Sequence, residues 1–211
     1  ALPISALDKA TITGSATEML MGEVRFLRAY AYFTLYRYYG GVPLVTEPTG
    51  PKPAYVPRAT RQEMFKFLYD EMAYALDKCL DNRSGIAYGR VTKGAVAGML
   101  AKMKIFHASY IRRAEMYGDK INETTAGDVD KTTLYADAVK LCDDIIAGIY
   151  GTYELEEYFP AVFTKRNNEI MFSVLAEEGV GTGNKIPMGF AGEGKYGATG
   201  GRNLTSWLTL L

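Results

Sequence analysis

Apolar residues recur at intervals of three and four along much of the chain, which is the spacing that places side chains on one face of an α-helix. The pattern predicts four helices, over residues 15–39, 60–80, 92–114 and 133–147. Polar or turn-rich segments separate these helices. The loop between the second and third helices is short, so we expect this pair to pack antiparallel. The predicted fold is therefore mainly α and built from helical hairpins.

Local signals mark several helix ends. Ser15–Glu18 and Thr60–Glu63 both have the form of a capping box, in which two side chains satisfy backbone N–H groups of the first helical turn. We therefore predict Ser15 and Thr60 as N-caps. After residue 39, the pair Gly40–Gly41 predicts a left-handed cap, and Pro43 then prevents the helix from continuing.

Each predicted helix carries apolar side chains that we expect to face the core. In the first helix these are Met19, Val24, Leu27, Ala31, Leu35 and Tyr38. In the second helix they are Met64, Phe65, Leu68, Met72, Ala75, Leu76 and Cys79. In the fourth helix they are Tyr135, Val139 or Ala138, Cys142, Ile145 and Ile146, with Gly148 as a cap. The two cysteines are therefore predicted to be buried free thiols.

The third helix begins with small residues, over residues 94–101, that would let a neighbouring helix approach closely. Beyond residue 148 the helical pattern fades. Glu169–Val174 is short and apolar and is a candidate strand. Gly179–Asn203 is rich in glycine and should be irregular.

Both ends of the chain interrupt an apolar pattern, so we expect a single domain over residues 1–211 that is incomplete at both ends. A helical scaffold over residues 15–148 would precede an irregular region over residues 149–211, which could face a ligand. The helical pairs resemble tetratricopeptide units, although the chain has no clean repeat of that length.

Charge and composition narrow the classes of function. The 24 basic and 24 acidic residues give a net charge of zero, which argues against nucleic acid as the main partner. Tyrosine is abundant, with 16 residues against 9 phenylalanines and a single tryptophan. Tyrosine can pack, donate a hydrogen bond and stack on a sugar ring. The sequence has no apolar run of about 18 residues that would predict a membrane span.

The residues offer little support for catalysis. His107 is the only histidine, lies in mid-helix and has neither cysteine near it in sequence, so we expect it to be structural. Three carboxylate pairs, Asp143–Asp144, Glu156–Glu157 and Glu177–Glu178, could in principle serve a glycoside hydrolase. Neighbouring residues on a helix point apart, which weakens that hypothesis. The sequence shows no Cys/His cluster for a metal. We therefore predict a protein that is not an enzyme and has no metal or cofactor.

Five segments, taken in order, resemble the SusD/RagB-like family. They are GEVRFLRAYAYFTLYRYYGGVPLV (residues 22–45), YVPRATRQEMFKFLYDEMAYAL (55–76), GRVTKGAVAGMLAKMKIF (89–106), YADAVKLCDDIIAGIYGTYELEEY (135–158) and NNEIMFSV (167–174). The resemblance implies a scaffold of tetratricopeptide-like helix pairs with a more irregular glycan-binding region against it. It also implies a lipid-anchored, surface-exposed outer-membrane protein whose anchor lies outside this chain. Such a protein binds a glycan and delivers it to a SusC-like TonB-dependent transporter.

The first of these segments interleaves arginines with tyrosines, which is the composition of a sugar-stacking surface. It also has a helical period, and we favour a role in packing over a role in binding. A pyranose needs an aromatic plate for its apolar face and polar side chains for its hydroxyls. Tyr196, Arg202, Asn203 and Trp207 supply these groups within the glycine-rich frame, and they are our candidate ligand-binding residues. Trp207 has an equally plausible role as the core anchor of a following helix.

The leading hypothesis is thus a non-catalytic glycan-binding component of an outer-membrane importer. The alternative is a helical-repeat scaffold, or an importer component, that binds peptides or protein segments. A glycoside hydrolase is the third hypothesis, and only the carboxylate pairs motivate it.

Overall fold

The computed structural model describes residues 14–47, 55–81, 89–117, 127–164 and 167–173. These residues form the helices α1 (Ser15–Tyr39), α2 (Arg61–Lys78), α3 (Lys93–Tyr117), α4 (Lys131–Ile146) and the short α5 (Ala161–Thr164). Within the described ranges the only pairing of β type is an isolated bridge between Leu80 and Thr92. The predicted mainly α fold is confirmed. The glycine-rich stretch expected to be irregular lies outside the described residues.

The predicted strand at Glu169–Val174 is wrong over its described part, residues 169–173, which has no regular structure. Its apolar residues Ile170 and Phe172 are buried, and Phe172 packs against a helix. The ring of Phe172 meets Phe26 of α1 edge-on at 5.2 Å. A short apolar run shows that a segment is buried, and it becomes a strand only where a partner strand is available.

Consecutive long helices pack antiparallel. At the start of α1, Glu18 pairs with Lys78 at the end of α2, and near the other end Tyr36 packs edge-on against Phe65. The start of α3 bonds to the end of α2, since the Lys93 N–H donates to the carbonyl of Leu80. Contacts are most extensive between α1 and α2 and between α3 and α4, so the array consists of two hairpins joined along α2 and α3.

Helix α3 lies between α2 and α4 and is buried on both sides. Its predicted small residues are in the core: Gly94, Ala95, Val96, Ala97 and Ala101 are all buried. The space that Gly94 leaves open is filled by Tyr153, whose hydroxyl oxygen is 3.0 Å from the hydroxyl of Thr92. A close helix neighbour was predicted here. Helix α4 packs along α3, but the close neighbour at Gly94 is the non-helical segment after α4.

The apolar face predicted for α1 is wrong. Leu27, Leu35 and Tyr38 are 48%, 41% and 78% exposed. The buried side consists of Met21, Gly22, Phe26, Ala29, Phe33 and Tyr36. Apolar residues lie on two sides of this helix, and periodicity alone cannot tell which side meets α2. The larger aromatic side chains occupy the side that packs, where they bury more area.

The face predicted for α4 is also displaced. Leu134, Ala138 and Leu141 are its buried residues, whereas Val139, Cys142 and Ile146 are exposed. The prediction of Ala138 as the alternative to Val139 is correct.

Cys79 is a buried free thiol as expected, but the expectation that Cys142 is buried is wrong. In α2, the predicted residues face the core, with Leu76 partly buried.

One of the two predicted capping boxes forms. The Thr60 N–H donates to the Glu63 carboxylate at 2.8 Å, and the Glu63 N–H donates to the Thr60 hydroxyl. At α1 the prediction is displaced by one residue, because the N-cap is Gly14, which has no side chain to offer. The Glu18 carboxylate is instead drawn to Lys78 of the neighbouring helix at 3.1 Å.

The end of α1 follows the predicted glycine stop. Gly40 has a φ of 69° in the left-handed region, and its N–H donates to the carbonyl of Tyr36. Gly41 then approaches the segment before α2 so closely that an added Cβ would lie 2.1 Å from the carbonyl oxygen of Ala59. The guanidinium of Arg58 donates to the carbonyls of Tyr39 and Gly41, both at 2.5 Å.

We expect Gly41→Ala to lower the free energy of unfolding by about 1–3 kcal/mol, because the clashing group is backbone and cannot rotate away. Gly98→Ala is the matched control. The added Cβ there meets only the flexible end of Met171 at 3.3 Å, and replacing a helical glycine by alanine contributes about 0.5–1 kcal/mol of stability. Urea unfolding measures both, and equal effects from the two substitutions would contradict this account of Gly41.

Candidate functional site

The four candidate ligand-binding residues, Tyr196, Arg202, Asn203 and Trp207, lie outside the described residues. The described chain contains two buried polar clusters and a set of exposed aromatic side chains. The first cluster, which we call the Glu71 cluster, consists of Glu71, Arg25 and Arg28. The second, which we call the His107 cluster, consists of His107, Tyr69, Asp128 and Arg61.

In the Glu71 cluster, one carboxylate of α2 binds two arginines of α1. The Arg28 Nε donates to Glu71 at 2.7 Å and its Nη2 lies 2.6 Å from the same oxygen. Arg25 approaches the other oxygen at 3.6 Å. The Glu71 side chain is only 5% exposed, and Arg25 also lies over the ring of Tyr74 at 4.0 Å. Two of the three arginines in the first family-like motif, residues 22–45, are thus used for packing α1 on α2.

The tyrosines of that motif divide between packing and exposure. Tyr36 is buried, and the Tyr32 hydroxyl bonds both backbone groups of Val45. Tyr38 and Tyr39 are exposed at the end of α1. The structure therefore assigns most of the motif to packing, as we favoured, while its last turn presents two aromatic rings to solvent.

The His107 cluster joins α2, α3 and the segment before α4. The Tyr69 hydroxyl lies 2.9 Å from His107 Nδ1, and Nε2 is 3.5 Å from the carboxylate of Asp128. Arg61 Nη2 binds the other oxygen of Asp128 at 2.5 Å. The imidazole ring is stacked on Phe65, with the ring centroids 3.8 Å apart.

A cavity of about 330 Å³ lies beside this cluster. It is lined by Gln62, Phe65, Lys66, Tyr69, Asp70, His107, Gly127, Asp128 and Val129. Lys66 and Asp70 stand at its exposed side and pair with each other at 2.7 Å. The polar groups nearest the cavity are thus largely committed to partners within the protein.

Burial is the main cause of the titration behaviour of this cluster. It lowers the pKa of His107 from 6.5 to about 4, and the nearby Asp128 only partly offsets the effect. Burial also raises the pKa of Tyr69, assisted by Asp137 and Asp128. His107 is therefore neutral at pH 7 and enclosed by aromatic rings, which fits the structural role predicted for it.

Among the carboxylates considered for hydrolysis, the Asp144 side chain is engaged within its own helix and the segment that follows. Asp144 accepts from Lys140 at 3.0 Å and from the Tyr150 hydroxyl. The backbone N–H of Glu156 donates to Glu169. The third pair, Glu177–Glu178, lies outside the described residues. Nothing in the described contacts sets two carboxylates against each other across a space for a sugar.

Sequence reasoning missed Asp128 as a member of a buried cluster. Asp128 is in a polar stretch between two predicted helices, which looks like solvated loop, and its partners Arg61 and His107 are distant in sequence. The buried positions of Arg61 and Glu71 were also missed. Charged residues are rarely buried unless they are paired, and the pairing was not visible in the local pattern.

Comparisons with known proteins give a consistent result. A profile of the family described as "Starch-binding associating with outer membrane" matches residues 4–105. A SusD-like protein from Bacteroides ovatus is 26% identical over 181 residues, which are 85% of this chain and 30% of the relative. A crystal structure of a SusD-like protein from Bacteroides fragilis is 25% identical over 82% of this chain and 30% of its own, with a TM-score of 0.60.

This chain is similar in sequence and in fold to proteins of the SusD-like family. A structure determined with xylogluco-oligosaccharide shares its fold, with a TM-score of 0.66 and 21% identity over 82% of this chain and 32% of that one. The chain spans about 30% of the length of the relatives that it matches. Among its described helices, none is long and apolar enough to cross a membrane.

We expect Glu71→Ala to destabilise the protein by about 2–4 kcal/mol, because it leaves two arginines at a buried interface without their carboxylate. The matched control is Asp70→Ala at the adjacent position. Asp70 is in an exposed pair with Lys66, and we expect a loss there below about 0.5 kcal/mol. Chemical unfolding of both variants tests the difference, and a loss from Glu71→Ala as small as that of the control would refute the role of the Glu71 cluster.

Acid should destabilise the protein through His107. The unfolded state takes up a proton near pH 6.5, while the folded state resists protonation down to about pH 4. The neutral imidazole therefore contributes stability that is present above pH 6.5 and is lost as the pH falls towards 4. We expect a loss of about 1–2 kcal/mol between pH 7 and pH 5 that His107→Gln does not show.

Urea unfolding of the two proteins at several pH values measures this difference. The carboxylates titrate in both proteins, so their effects cancel in the comparison. A stability difference between wild type and His107→Gln that stays constant from pH 7 to pH 5 would show that His107 does not titrate in this way.

Proposed function

We propose that this chain is part of a non-catalytic protein that binds oligosaccharide or polysaccharide at the bacterial cell surface for import through a SusC-like TonB-dependent transporter. The observation that carries the proposal is the match of residues 4–105 to a family of starch-binding proteins associated with the outer membrane. The proposal is also supported by fold, because a structure determined with xylogluco-oligosaccharide has a similar one.

The use of charged residues supports a non-catalytic role. Glu71 and Asp128 are buried against arginines, and Glu23 forms a bidentate pair with Arg90, with both contacts at 2.7 Å. The only histidine is stacked and enclosed. These charged and aromatic contacts join parts of the fold to one another.

The proposed location is the outer surface of the outer membrane, with a lipid anchor supplied by a segment outside this chain. The description of the family supports association with the outer membrane. The SusC-like transporter is proposed as the protein partner because capture at the surface needs a route across the membrane. The zero net charge suits a neutral ligand and gives no reason to propose nucleic acid.

The proposed division of labour follows the sequence analysis. Residues 15–148 form the scaffold, and residues 149–211 contribute to the face that meets the ligand. Within that region Tyr196 and Trp207 would stack on sugar rings, while Arg202 and Asn203 would bond hydroxyl groups. These four assignments rest on the chemistry of the side chains.

Calorimetry of the complete polypeptide against a panel of neutral polysaccharides, oligosaccharides and peptides tests the proposed ligand class. We expect binding of at least one glycan without its hydrolysis. Binding of peptides and of no glycan would favour the peptide-binding alternative. Release of shortened sugars would refute the non-catalytic role.

We expect Tyr196→Ala to weaken glycan binding about tenfold, as the loss of one stacking ring implies. Tyr55→Ala is the matched control, because Tyr55 is almost fully exposed on the scaffold and should leave affinity unchanged. Equal affinities for the two variants would remove Tyr196 from the site.

Trp207→Ala distinguishes the two roles considered for Trp207. Weaker binding with an unchanged melting temperature supports a stacking role. A lower melting temperature, with the affinity of the remaining folded protein unchanged, would show that Trp207 anchors the core instead.

A further inference from the structure

Two glycines one turn apart on α3 leave spaces that a single segment of the chain fills. The segment follows α4; we call it the strap and define it as the described residues 152–164 and 167–173. An added Cβ at Gly94 would overlap the ring and hydroxyl of Tyr153, and one at Gly98 would lie 3.3 Å from the end of Met171. Residues four apart share a helix face. The strap is therefore docked at two adjacent points on α3.

The space at Gly94 is closely matched to its occupant. Tyr153 enters it where α3 begins, and its hydroxyl oxygen is 3.0 Å from the hydroxyl of Thr92. Thr92 is fully buried. Its hydroxyl also accepts from the Ala95 N–H at 3.3 Å, as the N-cap residue of a helix does. Tyr153 thus fills a space in the core and bonds the residue that caps α3.

The backbone before the strap directs Tyr153 to this space. After α4, Gly148 and Gly151 have φ values of 76° and 108°, in the region that favours glycine. The Gly151 N–H donates to the carbonyl of Gly148 at 3.3 Å, which closes a tight turn. Because α4 runs antiparallel to α3, this turn lies beside the start of α3, and Tyr153 follows it within two residues.

The two arms of the strap, residues 152–164 and 167–173, are tied to each other by hydrogen bonds. The Glu156 N–H donates to the Glu169 carboxylate at 2.8 Å. The side-chain amide of Asn167 donates to the carbonyl of Val162 at 3.1 Å. The side-chain oxygen of Asn167 accepts from two N–H groups of the second arm, both at 3.1 Å. The strap is thus a bonded unit, although most of it is neither helix nor strand.

The first arm is largely exposed beyond Tyr153. Every residue from 154 to 160 is exposed except Glu156, which is partly buried. Leu155 and Tyr158 are 87% and 70% exposed. The second arm has its own attachment to the helices, because Phe172 packs on α1. Tyr153 is therefore the residue that fixes the start of the strap in the core.

We infer that the strap opens as a separate unit and that Tyr153 is its latch. When Tyr153 leaves the space at Gly94, the first arm loses its hold on α3, while the long helices keep the contacts that join them to one another. Local opening of this kind occurs in segments with few buried apolar contacts.

The strap belongs to residues 149–211, the region proposed to meet the ligand. An open latch would displace this region, which makes Tyr153 a positioning residue for glycan binding. The effect on binding rests on the proposed function, whereas the latch itself does not.

Hydrogen exchange of the complete polypeptide, followed by mass spectrometry, tests the latch. Gly94→Ala blocks the space that Tyr153 occupies, and Gly98→Ala is the matched control one turn along the same helix. We expect exchange in residues 154–164 to be at least roughly tenfold faster in Gly94→Ala, with α1 and α2 unchanged. Gly98→Ala should exchange like wild type, because the flexible end of Met171 can move aside. Unchanged exchange of the strap in Gly94→Ala would overturn the inference.

Tyr153→Ala provides a second variant if Gly94→Ala folds poorly, since it removes the ring without adding a clash. It should open the strap as well, and adding Gly94→Ala to it should have no further effect, because the clash requires the ring. Additive losses of protection in the double variant would show that Tyr153 is not held by the space at Gly94. Equally faster exchange of strap and helices in Tyr153→Ala would show that the strap is not a separate unit.

Glycan binding supplies a measurement that a purely structural role of Tyr153 would not change. If the strap is open in about nine tenths of the molecules, the apparent affinity falls about tenfold. Saturating glycan should then restore slow exchange in the strap, because coupling between two equilibria is reciprocal. Faster exchange with an unchanged glycan affinity would overturn the positioning role. If wild type binds no glycan, the proposed function fails, and the exchange comparison still decides whether Tyr153 is a latch.

Discussion

The packing of α1 against α2 depends on one buried carboxylate. One carboxylate oxygen of Glu71 contacts Arg25 of α1, and the other contacts Arg28 of the same helix. A buried charge without its partner is costly, so a shift of one helix along the other would be penalised. Apolar packing alone tolerates many registers. The ion pair selects the one in which the aromatic rings of the two helices interlock.

The family-like segments meet at the joints of the array. Glu23 of the first segment pairs with Arg90 of the third, and Gly41 approaches Ala59 in the second. Phe172 of the last segment packs on Phe26 in the first. Sequence resemblance in these segments therefore reports how helices are joined. It identifies the scaffold without identifying the ligand, because the joints and the proposed binding residues lie in different parts of the chain.

The Thr60–Glu63 box and the stop at Gly40 are complete within a few residues, and both were predicted correctly from sequence. The box predicted at Ser15 is equally local, but it did not form, because the N-cap is Gly14 and Glu18 pairs with Lys78 of the neighbouring helix. The inner face of α1 was chosen wrongly because both of its faces are apolar, and only the position of α2 decides between them. Asp128 gave no local signal, since its partners come from two other helices. The residues proposed to bind glycan lie outside the described ranges, so they remain predictions.

The contact between Phe172 and Phe26 has a consequence for the order of folding. The pairs that join α1 to α2 and α3 to α4 connect residues 43 and 33 positions apart, so each hairpin can form soon after it leaves the ribosome. The Phe172 contact connects nearly opposite ends of the described chain and must wait for almost all of it to be synthesised. Contacts of long sequence separation slow folding. The nascent protein would thus exist first as two hairpins, in which Phe26 lacks its contact with Phe172 until this late segment is made.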